Sequence, residues 1–579
     1  MRKITGIPAS TGIAIGKAFV YTKNSNLKTE LSKFQNLPPD KLILLFQKSV
    51  KKGIEHLNVI IQKTEEEIGT EEAGIFDAQI LMLEDEDFQE AVIELLKKDL
   101  PLDKAIWDVT DFYVKKFSEM DNEYFKERAS DIKDIGNYLI NALIGKQKSS
   151  LANLSEEVII VSEELSPSDT AQMRKNKVLG FATKVGGSTS HVAIIARALS
   201  IPAVVGSSKL MDLVSHGTLL VVDGNEGEII IDPDPQTLEI YQNKREKHIE
   251  DQHNLKKFAQ IKAKTLDGYE VEIQANVGSL DGVKTALENG ADGIGLLRTE
   301  FLYLDRKTLP TEEETFTTIK NILKSMGNRP VILRTLDIGG DKFVPSLKLP
   351  TESNPFLGYR GSRLVSNLEI RNIILAQIRA ALRASIFGKL RIMFPMVTTL
   401  NEIKTLRAIV EKAQKELLNE GHTITESIEI GIMVEVPSVA ICADIIAPHI
   451  DFFSIGTNDL TQYTLAADRT NVAVADLYDH YHPSVLRLIH QVVQAAHTHG
   501  KWVGVCGELA GDPIAIPLLI GLGIDELSMN PPAILQVKKA VTETSYSDCL
   551  KLIKQILSFN ESSEVRSFLA DLQSSREKP

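Results

Sequence analysis

Apolar positions along this chain change their spacing more than once, and each change marks a different kind of element. Up to Tyr21 apolar and small residues alternate, as in a strand or two. Over residues 31–144 charged residues interleave with apolar ones at helical spacing, as at Phe76, Ile80 and Leu83 in IFDAQILML, and glycine and proline are scarce. This texture predicts a helical bundle. Strand-like runs then return in EEVIIVSEEL, NKVLGFAT, GTLLVVDG and GEIIIDP. The simplest reading is one α/β domain, residues 1–24 and 146–232, interrupted by an inserted helical subdomain, residues 25–145. A proline-marked boundary at DPDPQ leads into a charged stretch that predicts a linking helix over 233–262.

Residues 263–579 have a single rhythm. Short apolar runs occur at EVEIQANV, GADGIGLLRT, PVILRTLDI, KLRIMFPMV, IEIGIMVEVP, IDFFSIGTND, KWVGVCGELA and IDELSMN, each followed by a helical pattern. Eight βα units over roughly 250 residues predict a (β/α)8 TIM barrel. A doubly wound open sheet shares the alternation; the count of eight favours the barrel. The fold class expected is therefore multidomain α/β.

Composition narrows the function classes. The chain has 579 residues, with 65 Lys+Arg against 78 Asp+Glu and a formal net charge of −13. That acidity argues against nucleic acid or an anionic membrane as the main partner, and leaves a basic protein partner open. Cys442, Cys506 and Cys549 are too few for a disulfide framework, which points to a reducing compartment. No secretion signal and no membrane span is read from the sequence, so a cytoplasmic location is expected.

Barrels collect their chemistry where strands end. Arg298 closes the second run, Arg334 lies in the third, Glu435 near the end of the fifth, Asn458 and Asp459 end the sixth, and Cys506 lies in the seventh. Lys342, Arg360 and Arg469 fall in adjacent loops. Singly, such arginines pair with surface carboxylates and such a cysteine is a small apolar residue. Together they suit a small phosphorylated carboxylic acid, because guanidiniums offer bidentate donors to phosphate and carboxylate. Glu435 and Asp459 can hold Mg²⁺. A second signal is GGSTSHVAIIARAL, residues 186–199: a glycine pair for close approach, three residues able to cap a helix, and His191 at its start. A helix start favours a phosphate dianion, and a histidine there can be a nucleophile, although capped helices with a nearby histidine are common.

Nearly end to end, the chain resembles the phosphoenolpyruvate-protein phosphotransferases, the Enzyme I proteins of the sugar phosphotransferase system. The resemblance rests on GIPASTGIAIGKAFV, GIFDAQILMLEDED, GGSTSHVAIIARALSIPAVVG, GADGIGLLRTEFLYLDR, RTLDIGGDK, NPFLGYRGSR, IMVEVPS, DFFSIGTNDLTQYTLAADR, GVCGELAGDP and GIDELSMNPPAIL. It implies that His191 is the phosphorylated histidine. It implies that Arg298, Arg334, Arg469, Asn458 and the Asp459 backbone bind phosphoenolpyruvate, with Lys342 and Arg360 adding charge. Glu435 and Asp459 resemble the Mg²⁺ ligands, and Cys506 the acid that protonates the enolate to give pyruvate. It further implies a phosphoryl acceptor, the carrier protein HPr, docked on the helical insert, and a homodimer joined through the barrel.

The histidine domain is expected to swivel on residues 232–263, since one imidazole must meet both the barrel mouth and a protein acceptor. Residues 65–90 contain many acids and no Lys or Arg, as an acidic docking face for a basic carrier would; charge runs are more often solvated helix faces. Ser188 stands where the family usually has an arginine, Val192 where it has a small residue, Tyr359 for tryptophan and Asn530 for serine. The missing cation at 188 implies altered stabilisation of a phosphohistidine, not loss of the nucleophile. Two alternatives share the histidine domain or its chemistry: a pyruvate phosphate dikinase or phosphoenolpyruvate synthase, and a phosphorelay component with regulatory output. The first needs an ATP-binding domain, and the short helical insert has no Gly-rich phosphate loop.

Overall fold

The computed structural model describes residues 1–21, 34, 37–67, 76, 79–118, 123–144, 151, 154–165, 169, 177–187, 191–199, 201–303, 308–340, 344, 347, 349–350, 352–469, 471 and 474–576. The chain divides into two compact units, Met1–Gln252 and His253–Pro579.

In the first unit the alternating opening forms three strands, β1 (Arg2–Thr5), β2 (Ile7–Ser10) and β3 (Ile13–Tyr21). The four later runs form β4 (Val158–Ser162), β5 (Val178–Thr183), β7 (Leu219–Asp223) and β8 (Glu228–Ile231). A further strand, β6 (Ala203–Val205), is too short to announce itself by alternation. The sheet order is β1-β8-β7-β3-β4-β5-β6-β2. Gly6 alone separates β1 from β2, yet these strands occupy opposite ends of that order. The sheet must curl until its edges meet there, and a Cβ on Gly6 would lie 2.5 Å from the Val205 carbonyl oxygen.

Strands β3 and β4 pair in parallel, Lys17 against Val158, although the helical segment runs between them in sequence. That segment contains helices Pro39–Glu67, Glu86–Lys97, Leu102–Ser118 and Glu123–Ile144. They bury Phe46, Phe76, Leu83, Phe88, Leu96 and Leu139 in a core of their own. Asp85 caps one helix by accepting from the Phe88 N–H at 2.8 Å. A largely exposed helix, Pro235–Leu255, follows β8 and ends in a 3-10 turn, Lys256–Gln260. Among the described residues no helix is long and apolar enough to cross a membrane.

The second unit is a closed barrel. Its strands are β9 (Glu272–Val277), β10 (Gly293–Leu297), β11 (Pro330–Arg334), β12 (Lys389–Phe394), β13 (Ile430–Val434), β14 (Phe452–Ile455), β15 (Trp502–Val505) and β16 (Glu526–Met529). All neighbours are parallel, and β16 closes on β9 with Leu527 against Ile273. Each predicted run holds one strand, and closure excludes the open sheet. The runs are nearly continuous in apolar residues because helices cover the outer face while side chains fill the inside. Outside the strands lies the large core; inside, Leu296, Ile332, Met393, Met433, Phe452 and Cys506 form a separate cluster.

The inner cluster admits no spare volume. A Cβ on Gly431 would meet the Phe452 ring at 2.5 Å, and Phe452 is fully buried. Gly431→Ala should overpack the barrel and cost about 1–3 kcal/mol. Urea unfolding of the full chain, followed by the signal of the barrel unit, measures this as a lower midpoint.

Candidate active site at the strand ends of the barrel

Parallel closure places the ends of all eight strands at one mouth, and the polar groups there interlock. Arg334 ends β11 and is 5 % exposed. Its guanidinium donates to Glu300 Oε1 at 2.9 Å, pairs with Asp337 Oδ2 at 3.3 Å, and reaches Met433 Sδ at 3.7 Å. Glu300 opens the short turn after β10 and also accepts the Asp337 N–H at 3.1 Å.

Arg360 is equally enclosed. It pairs with Asp337 Oδ2 at 3.1 Å and Asp459 Oδ1 at 3.3 Å, and donates to the Tyr463 hydroxyl at 3.1 Å. The backbone makes room for it at Gly339, where φ is +100° and a Cβ would stand 2.7 Å from the Arg360 Cβ. Asp337 therefore touches both guanidiniums. Burial alone would lower the pKa of each arginine, but Glu300 and Asp337 around Arg334, and Asp337 and Asp459 around Arg360, more than offset it.

Glu435 follows β13 and is fully buried. Its Oε1 accepts the Met396 N–H at 2.5 Å, and its Oε2 has no hydrogen-bond partner among the described residues. Burial, then Asp459 and Asp337, raise its carboxyl above the usual range. Asp459, in the first turn of the helix Thr457–Leu465, goes the other way: burial would raise it, but Arg360 and Arg469 hold it low. The enclosed set thus holds four carboxylates, Glu300, Asp337, Glu435 and Asp459, against two guanidiniums, Arg334 and Arg360. The carboxyl groups outnumber the guanidiniums, and Glu435 Oε2 is left without a hydrogen-bond partner among the described residues. A hard divalent cation answers that arrangement.

Cys506 follows β15, 5 % exposed, with Sγ 3.7 Å from the Ile455 carbonyl oxygen. Burial pushes its thiol up to about 12, so it is a neutral S–H at physiological pH. Asn458 exchanges two bonds with Glu508: its amide donates to Oε1 at 3.2 Å and accepts the Glu508 N–H at 2.9 Å. Arg469 is half-buried within electrostatic reach of Asp459 and bonded to Tyr478. Arg298 stands exposed just beyond β10, its N–H donating to the Val277 carbonyl at 2.8 Å.

Of the residues singled out in sequence, Arg334, Arg360, Glu435, Asp459 and Cys506 come together. Asn458 and Arg469 stand beside them, and Arg298 sits on the same rim without a bond to the cluster in evidence. Lys342 lies outside the described residues, as do Ser188, Thr189 and Ser190. Glu300 and Asp337 escaped the sequence reading. They fall within the quoted GADGIGLLRTEFLYLDR and RTLDIGGDK, but only folding reveals that they hold the arginines.

On the first unit, His191 opens the helix His191–Ala198 after Gly186, whose φ is +129°. Val192, Ala193, Ile195 and Ala196 of that helix pack with Phe181 and Val205. The helix start is thereby pinned to the sheet.

Known proteins are similar to this chain along nearly its whole length. Family models match residues 5–128 (PEP-utilising enzyme, N-terminal), 154–227 (PEP-utilising enzyme, mobile domain) and 252–546 (PEP-utilising enzyme, PEP-binding domain). A phosphoenolpyruvate-protein phosphotransferase of Priestia megaterium is 44 % identical over 98 % of both chains. One of Geobacillus stearothermophilus is 45 % identical over the same shares. A solution structure of an Enzyme I protein is 39 % identical, covers 42 % of this chain and 99 % of its own, and superposes with a TM-score of 0.35.

None of the three cysteines is in a disulfide; Cys442 is exposed, and Cys506 and Cys549 are buried. Iodoacetamide reacts with exposed thiolate. At pH 8 intact mass should show one adduct per chain, mapped to Cys442, and three only after denaturation. Rapid modification of Cys506 in the folded protein would contradict its enclosed, protonated state.

Proposed function

The chain belongs to the phosphoenolpyruvate-protein phosphotransferases, enzymes of phosphoryl transfer, and from that premise we propose how its own residues run the reaction. Phosphoenolpyruvate binds at the strand-end mouth of the barrel. Arg298, Arg334 and Arg469 hold its phosphate and carboxylate, Asn458 and the Asp459 backbone complete the pocket, and Arg360 and Lys342 add positive charge. The observation that carries this reading is the enclosed set of Arg334, Arg360, Glu435 and Asp459 around Cys506. It joins anion recognition, an unsatisfied carboxylate and a proton donor in one place.

Among the described residues no three His, Cys, Asp or Glu side chains are grouped to hold a metal. Two carboxylates suffice for Mg²⁺, which commonly keeps waters and shares substrate oxygens. Glu435 and Asp459 would hold it, and when bound it supplies positive charge beside the phosphoryl oxygens.

The chemical step balances as follows. An imidazole nitrogen of His191 attacks phosphorus, and the bond from phosphorus to the enol oxygen breaks. The electron pair left on that oxygen makes the enolate of pyruvate. The Cys506 thiol gives its proton to the enolate carbon and pyruvate leaves; the thiolate regains a proton from water. A thiol suits this task only while protonated, as its enclosure ensures. A histidine of HPr then takes the phosphoryl group from His191. His191 belongs to one unit and the mouth to the other, so the histidine unit swivels on residues 232–263 between donor and acceptor.

HPr docks on the helical segment, where Glu84, Asp85, Glu86, Asp87 and Glu90 are exposed. Assembly as a homodimer through the barrel and a cytoplasmic location, supported by three cysteines outside any disulfide, belong to the same reading.

Labelled phosphoenolpyruvate with Mg²⁺ tests the path. His191→Ala should take up no label while keeping wild-type circular dichroism. Cys506→Ala should lose pyruvate formation by about 10²-fold or more, yet still exchange phosphate with phosphorylated HPr. Equal labelling of His191→Ala would end the assignment.

Docking has its own test. Raising salt from about 0.1 to about 1 M shortens the screening length from roughly 10 to 3 Å. Transfer from phosphorylated chain to HPr should slow several-fold across that range. A rate indifferent to salt would remove the acidic face from the account.

A further inference from the structure

At the other end of the barrel, among the strand starts, a cavity of about 610 Å³ is lined by residues that include Lys262, Glu272, Arg329, Arg391, Trp502 and Glu526. Its size falls within the roughly 300–1,000 Å³ of small-molecule sites. Glu526, the first residue of β16, is 1 % exposed, and neither of its carboxylate oxygens has a hydrogen-bond partner among the described residues.

This carboxylate sits in space that the neighbouring strands leave for it. A Cβ on Gly295 of β10 would lie 2.1 Å from Oε1, and one on Gly504 of β15 would lie 1.9 Å from Oε2. Gln274 Oε1 and Trp502 Nε1, buried at the same end, are also without partners among the described residues. A buried carboxylate is costly unless it is neutral or paired. Burial, and then the Glu272 charge, accordingly raise the Glu526 carboxyl well above the usual range.

The unmet groups define the missing chemistry. Of the residues lining the cavity, Glu526 has two oxygens without a partner and Trp502 an indole N–H without an acceptor among the described residues. A ligand here must bring several N–H groups and positive charge. Arg391 opposes the rise at Glu526, yet it pairs with Glu429 and lies over the Trp502 ring at 4.7 Å. Lys262 and Arg329, lining the same cavity, provide cations for an anionic tail.

We propose that this cavity binds a small zwitterion of the basic amino acid class, its guanidinium or ammonium head on Glu526 and its carboxylate toward Lys262 and Arg329. The proposal is independent of the chemistry assigned to the opposite mouth, so either can fail alone.

Calorimetric titration of the full chain with L-arginine, L-lysine, agmatine and L-citrulline tests it. L-arginine or L-lysine should bind saturably at one site per chain. Agmatine, which lacks the carboxylate, should bind several-fold more weakly, and L-citrulline, which lacks the charge, at least about tenfold more weakly. Glu526→Gln should lose binding by a similar factor. The chain has two tryptophans, Trp107 and Trp502. With ¹⁵N-tryptophan labelling, only the Trp502 indole signal should move on adding L-arginine. These last readouts use the unaltered protein and stand even if the Gln variant folds poorly. The proposal is overturned if none of the amines binds at about 10 mM, if L-citrulline matches L-arginine, if Glu526→Gln binds normally, or if Trp502 does not respond. The first outcome would leave water alone in the cavity; the others would place amine binding away from Glu526.

Discussion

A guanidinium has no neutral form within reach of physiological pH, so an arginine buried in a barrel mouth obliges the fold to bury carboxylates with it. Two such arginines stand here side by side, and Asp337 touches both. Much else follows from that obligation. Glu300 must turn inward after β10 to share Arg334, the loop at Gly339 must bring its backbone close to Arg360, and Asp459 must sit in the first turn of its helix. The carboxylates then outnumber the cations, which leaves one, Glu435, half unsatisfied. The same obligation that enclosed the arginines thus leaves a buried carboxyl oxygen beside them without a partner among the described residues.

The barrel was legible because each of its strands is buried on both faces and so reads as an unbroken apolar run. Eight of these, separated by helical spacing, leave few topologies. The β1–β2 break and β6 were not legible: a single glycine and a three-residue strand carry no periodic signal, and both exist because the sheet curls. At the site, basic residues at strand ends stood out because positive charge beside an apolar run is conspicuous. Asp337 and Glu300 did not, since a carboxylate's role depends on what it faces, and facing is set by loops. Glu526 is the sharpest case. In IDELSMN it looks like a charged residue at a strand start, bound for solvent, and only the glycines of two other strands turn it inward.

The first unit shows a different economy. The helix that begins at His191 is anchored by four small or branched apolar residues against the sheet, which gives it a fixed place. Val192, larger than the family's usual residue, is 6 % exposed and contributes to that anchoring. Its extra bulk is absorbed by the core rather than presented to a substrate. The rigidity of this helix therefore lies in the face it packs against the sheet.

A barrel interior is a packed core and not a pore, so its two mouths can influence each other only through side chains in contact. Here a continuous column exists. Trp502 stacks on Phe452 with centroids 4.5 Å apart, Phe452 shares the inner cluster with Met433 and Cys506, and Met433 touches Arg334. Charge travels the same way: an ionised Glu526 raises the Cys506 thiol further. A carboxyl that is neutral, or one ion-paired with a bound cation, presents almost no net charge to that thiol. Only a lone carboxylate would weaken the thiol as an acid, in a medium of low dielectric where such effects carry. Whatever neutralises Glu526 therefore leaves the Cys506 thiol less perturbed at the far end of the barrel.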